Sequence, residues 1–266
     1  MDFSFINELI RMLEGNNIYQ FSFTGAKILA LGLLALKVLD MFVKENLDNQ
    51  ELKIGNLASI LGYGLVIMSS DWIITTIENA FAGVDVAMQN TSSDLFSEMG
   101  EMVEEKRAEL FKGAKAWYEY LGVFLRNLGS LLVLGVTFLL GALCKIADLS
   151  ITASYLVQRI FILQLLKFLF PLAVALSTYS GTQKLFHTWI LRYIGIFILG
   201  IAYIGIIRIS SMVQGALVRQ FDVNTGVSEV DGGFFAGGLL IAMIVTFTIK
   251  IKLFSTATSY VMGMFQ

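Results

Sequence analysis

The chain is poor in the residues that most site chemistry needs. In 266 residues there is one cysteine, one histidine and one proline. A lone Cys144 can form no internal disulfide and no cysteine-rich metal site. Set in Leu-Gly-Ala-Leu-Cys-Lys, it reads as a small buried hydrophobe. A lone His187 forms no histidine cluster, which argues against catalytic zinc and Cys–His nucleophile pairs. An excess of positive charge is also missing. The formal net charge is −2, which argues against a basic nucleic-acid surface but leaves a locally basic pore open. No phosphate-binding loop, H-E-x-x-H, G-x-S-x-G or EF-hand pattern occurs, so enzymatic chemistry has no local support and no cofactor is implied. No repeat is visible and the two halves do not mirror each other, which counts against an inverted-repeat transporter. The first residues carry Asp2, Glu8 and Glu14 against Arg11 alone. A positively charged leader is therefore not expected, and the first span should direct insertion.

What the chain has is apolar length. It is 56% hydrophobic, with a mean hydropathy of +0.72. Charged residues nevertheless interrupt the apolar runs. Each costs roughly 2.5–3.5 kcal/mol at the centre of a membrane helix. The pattern predicts an all-α, polytopic transmembrane protein with five or six spans, an N-terminal amphipathic helix and a long extramembrane amphipathic helix.

Residues 1–20 form the amphipathic N-terminal segment, with Gly15-Asn-Asn as its stop. It either packs on the rest of the protein or lies at the bilayer surface. Residues 21–78 hold the first two spans, near 23–43 and 57–77. Lys37 and Asp40 are three apart in the first and share a helix face. In the second, Asp71 precedes Trp72. Either Trp72 marks the interface and Asp71 sits near headgroups, or Asp71 faces protein or water.

Residues 79–120 form an acidic extramembrane amphipathic helix. From Glu78 to Glu105 there are seven acids and no Lys or Arg, and Thr91-Ser-Ser-Asp94 fits a capping box. Residues 121–207 supply the central spans, near 128–144, 151–176 and 189–207. In 151–176, Lys167 shares a face with Gln164, and Arg159 lies roughly 80° around the helix. Such a polar side needs water or partners. Several basic residues near span ends are expected to snorkel to headgroups. Pro171 either kinks a continuing helix or opens a new one. Residues 208–232 read as a polar loop, and residues 233–266 as the last span and tail. Gly233 and Gly237 form a G-x-x-x-G, which suits helix docking but also arises by chance in a glycine-rich membrane chain.

Two segments then stand in order: Phe168-Leu-Phe-Pro-Leu-Ala-Val-Ala-Leu-Ser177, and, after a polar link, His187-Thr-Trp-Ile-Leu-Arg-Tyr193. Together with the order of elements, they resemble the TraJ/TrbL-like inner-membrane proteins of type IV secretion and conjugative transfer. Pro171, Ala173, Trp189, Arg192 and Tyr193 occupy the matching places, while Phe170 stands where the family often has glycine. The resemblance implies a non-enzymatic, ring-forming component, a pentamer, in the bacterial inner membrane. It implies a periplasmic N-terminus and acidic helix, and a role in substrate passage and pilus biogenesis. The implied partners are sister copies, lipid, a periplasmic stalk or minor pilin-like protein, inner-membrane ATPases and a translocating DNA or protein substrate. On this reading Pro171, Trp189, Arg192, Tyr193, Gly233 and Gly237 serve assembly. Lys37, Asp40, Asp71, Arg159 and Lys167 line a lumen or an interface. The rival expectations are a small-solute transporter and a pore-forming lysis or immunity protein.

Overall fold

A computed structural model describes residues 5–47, 54–89, 100–101, 104–105, 108, 111–112, 117–126, 128–224 and 232–264. Among these residues the regular structure is entirely helical. The helices are α1 (Phe5–Glu14), α2 (Asn17–Leu47), α3 (Ile54–Met68), α4 (Ser70–Gln89), α5 (Trp117–Arg126), α6 (Leu128–Leu176), α7 (Leu185–Asn224) and α8 (Gly232–Met264).

Local chemistry explains the first boundaries. α1 stops at Gly15, whose N–H donates to the Arg11 carbonyl at 2.9 Å. A Cβ on Gly15 would meet that carbonyl at 3.0 Å, so a residue without a side chain suits the turn. The second span expected from the sequence is broken at Ser69. There α3 and α4 meet at 61° without Pro or Gly at the corner. The Ser69 hydroxyl donates back to the Leu65 carbonyl at 2.8 Å, a bond that bends helices.

The later helices run longer than the sequence reading allows. Spans near 128–144 and 151–176 are one 49-residue helix, α6. Nothing between Lys145 and Ser150 breaks a helix, and Pro171 lies inside it. The stretch read as a loop from residue 208 continues α7 to Asn224, and residues 225–231 lie outside the described residues. Ser210, Gln214 and Val218 recur at helical spacing and are all buried, so polar composition there marks an inward face. Residues 79–89 complete α4, whereas most of the acidic segment from residue 90 to 116 lies outside the described residues.

Gly135–Leu176, Leu185–Gln220 and Leu240–Met264 are each long and apolar enough to cross a membrane. The bent α3–α4 pair makes a fourth if it counts as one span. The hydrocarbon core is about 30 Å thick, which about 20 helical residues cross. Large apolar side chains such as Leu132, Leu139, Ile146, Phe161 and Ile201 lie exposed along these helices, as a lipid-facing surface requires.

The described chain forms two compact units. One comprises the described residues of Thr91–Tyr155 and Tyr203–Thr256. The other comprises Ser4–Asn90, Leu156–Ala202 and Ala257–Gln266. In the first, Tyr155, Tyr203 and Phe254 form an aromatic trio with ring centroids 4.8–5.9 Å apart. In the second, α2 packs on α3, and Ala26, Ala30 and Leu34 form a buried i, i+4, i+8 stripe on α2. There too an aromatic file runs Phe186, Phe170, Trp189, Tyr193, Phe197, Phe81, with successive centroids 4.6–6.0 Å apart.

Candidate functional site

In the second unit the motif segment and the charges around it fold into one buried corner. Pro171 interrupts the α6 ladder, because the Lys167 carbonyl faces a residue with no N–H. One residue earlier, the Trp189 indole N–H donates to the Leu166 carbonyl at 2.8 Å and ties α7 to that turn. The link closes the helix end with hydroxyls. Ser177 donates to the Val174 carbonyl at 2.6 Å, Thr178 to Ala175 at 2.7 Å and Thr182 to Leu176 at 2.5 Å. The last carbonyls of α6 therefore have donors that no further helical turn would supply. The Tyr179 hydroxyl donates to the Leu33 carbonyl on α2 at 3.0 Å.

This corner holds the charges. Lys167 is buried and pairs with Glu78 Oε1 at 2.5 Å. The buried Tyr193 donates its hydroxyl to the same oxygen at 3.0 Å. Arg159 is among the largest fully buried side chains. Its Nε donates to the Ile196 carbonyl at 3.1 Å, Nη1 approaches Met88 Sδ at 3.4 Å, and the guanidinium lies 5.6 Å from the Phe197 ring centre. A Cβ on Gly200 would sit 2.8 Å from Arg159 Nε, so glycine there is what admits the guanidinium. Gln164 is buried beside this group on α6, and its Oε1 finds no hydrogen-bond partner.

The remaining sequence-derived residues, Gly233 and Gly237 apart, fall elsewhere in the same unit. Lys37 and Asp40 approach to 3.8 Å on α2, and Lys37 lies over the Tyr179 ring at 5.1 Å. Asp40 also pairs with Lys44 at 2.9 Å. Asp71 pairs with Lys27 at 2.6 Å, 44 residues away, and stays exposed beside an exposed Trp72. Arg192 is exposed although its neighbours Trp189 and Tyr193 are buried. Gly233 and Gly237 lie in the first turns of α8, and their packing falls outside the described residues.

Three charged residues matter that the sequence reading did not single out. Glu78 read as the first acid of the acidic segment, yet it neutralises Lys167. In the first unit, Asp148 and Lys250 form an ion pair at 2.8 Å and are 2% and 1% exposed. Asp148 falls between the spans read near 128–144 and 151–176, and Lys250 within residues 233–266. Their signal in the sequence is that each is a charge inside a helix whose apolar pattern resumes on its far side. Thr152, Ser210 and Gln214 are buried in that unit too, with side-chain atoms that find no partner among the described residues. Among the described residues no group of three or more His, Cys, Asp or Glu could hold a metal ion. Compared with known proteins, the chain matches no family model and no curated sequence.

Proposed function

We propose that the chain is a non-enzymatic, ring-forming channel or scaffold component of a type IV secretion (conjugation) machine. It sits in the bacterial inner membrane at the base of the stalk or pilus and takes part in substrate passage. The observation that carries this reading is the behaviour of residues 170–193. Pro171, Trp189 and Tyr193 turn inward and lock α6 to α7, while Arg192, in the same turn of α7, remains exposed. Inward residues of the segment build the protomer and its outward arginine meets a sister copy. An isolated arginine facing acyl chains is costly, and a neighbouring subunit removes that cost.

In this reading the chain crosses the bilayer five times, through α2, the bent α3–α4 pair, α6, α7 and α8. The pairing of Lys27 with Asp71 and of Lys37 with Asp40 offsets part of the cost of charge in α2. With a periplasmic N-terminus, two crossings return the chain to the periplasm at the acidic segment. That segment can then dock a stalk or minor pilin-like protein, and the cytoplasmic side serves the inner-membrane ATPases. The transported substrate is DNA or protein.

Native mass spectrometry of the full chain released from lipid nanodiscs tests the assembly. A closed ring of five copies is expected, and a strict monomer, both alone and within the isolated machine, overturns the reading. A second reading, a small-solute transporter, is favoured by the buried Asp148–Lys250 pair, because charges deep in a membrane bundle often serve coupling. Solute uptake by liposomes holding only this chain would select that reading over the first.

A further inference from the structure

Polar and aromatic side chains of the first unit line up on three stripes. On α6, Asp148, Thr152 and Tyr155 are spaced i, i+4, i+7; on α7, Tyr203, Ser210 and Gln214 are spaced i, i+7, i+11; on α8, Thr246, Lys250 and Phe254 are spaced i, i+4, i+8. Each spacing returns to one helix face. Two sets of contacts show that these faces meet. The aromatic trio joins Tyr155, Tyr203 and Phe254, and the ion pair joins Asp148 to Lys250. α7 runs antiparallel to α6, so Asp148 and Ser210 lie on the same side of the trio. Each is seven residues from it, roughly 10 Å along its helix.

Hydroxyls in this part of the chain ordinarily bond back to their own helix. Ser154 donates to the Ser150 carbonyl and Thr246 to the Ala242 carbonyl, both at 2.8 Å. Thr152 and Ser210 are fully buried and their hydroxyls have no partner among the described residues. Gln214 is 2% exposed, and neither atom of its amide finds a partner. The seam therefore offers unused donors and acceptors beside an ion pair whose charges cancel. Its occupant must be uncharged and able both to give and to accept hydrogen bonds.

We propose that this seam is a hydration site within the membrane. Bound water lies between the Asp148–Lys250 pair, Thr152, Ser210 and Gln214, with the aromatic trio closing one end. Water has the required chemistry, and buried waters ordinarily serve two to four such groups. The seam holds water whether or not the chain assembles into a ring.

Hydroxyl-radical footprinting of the full chain in lipid nanodiscs tests the proposal, because radicals formed from bound water react where that water lies. The reporter is Met243, which is 0% exposed and sits seven residues before Lys250 on its side of α8. Met243 should be oxidised in the native chain, and most of that label should be lost in the Ser210→Ala, Gln214→Leu double variant. An unlabelled Met243 in the native chain overturns the proposal, and the native measurement decides this even if the variant fails to fold. Equal labelling in a folded double variant overturns it as well.

Discussion

Lys167 and Tyr193 converge on one oxygen, Oε1 of Glu78, from 2.5 Å and 3.0 Å. A lysine from α6, a tyrosine from α7 and a carboxylate from α4 thus make a single knot at the corner that Pro171 and Trp189 hold. The ammonium and the phenol both donate, and the carboxylate only accepts, so neither donor competes with the other.

Removing the carboxylate takes the Glu78 partner away from a buried ammonium. Glu78→Ala is expected to destabilise the protein by about 3–5 kcal/mol, whereas Glu78→Leu combined with Lys167→Met should recover most of that loss. Thermal melting of the purified chain in mild detergent, followed by gel filtration, measures both. Equal stability of Glu78→Ala and the native chain contradicts the knot.

The Asp148–Lys250 pair is more deeply buried and should respond more asymmetrically. Asp148→Ala alone is expected to cost about 3–5 kcal/mol, and Asp148→Leu with Lys250→Met much less. The double-mutant cycle, read from the same melting assay, gives the coupling. Additive effects of the two single changes would show that the residues do not act as a pair.

Gly200 is the position where Arg159 leaves no room. Gly200→Ala is expected to cost about 1–3 kcal/mol, because the Cβ would sit 2.8 Å from Nε and the guanidinium must move. The control is Gly205→Ala, where a Cβ meets nothing within 4 Å. That change should be neutral or slightly stabilising in a helix interior.

On the proposed function, Arg192 should separate folding from assembly. Arg192→Ala should leave the melting of the protomer within about 0.5 kcal/mol of native, since the side chain is exposed. It should reduce the population of rings seen by blue-native electrophoresis and reduce DNA transfer in cells that carry the rest of the machine. Normal rings with normal transfer would remove Arg192 from the interface.

The helical, lipid-compatible character of the chain was legible from residue order alone. Long apolar runs in a chain with one proline leave few alternatives to helices, because backbone groups in hydrocarbon must be satisfied within the segment. The close pair Lys37 and Asp40 was legible for a related reason: three residues apart, they share a face of any helix that holds them. Helix ends were less legible. Ser210 and Gln214 read as loop because they are polar, yet they extend α7 because that face is buried.

The partners of the isolated charges could not be read at all. Lys250 finds Asp148 across 102 residues, and Tyr193 finds Glu78 across 115. Local pattern says that such a group needs company, since burial penalises an unpaired charge. Only the packing of whole helices against one another decides which group supplies it.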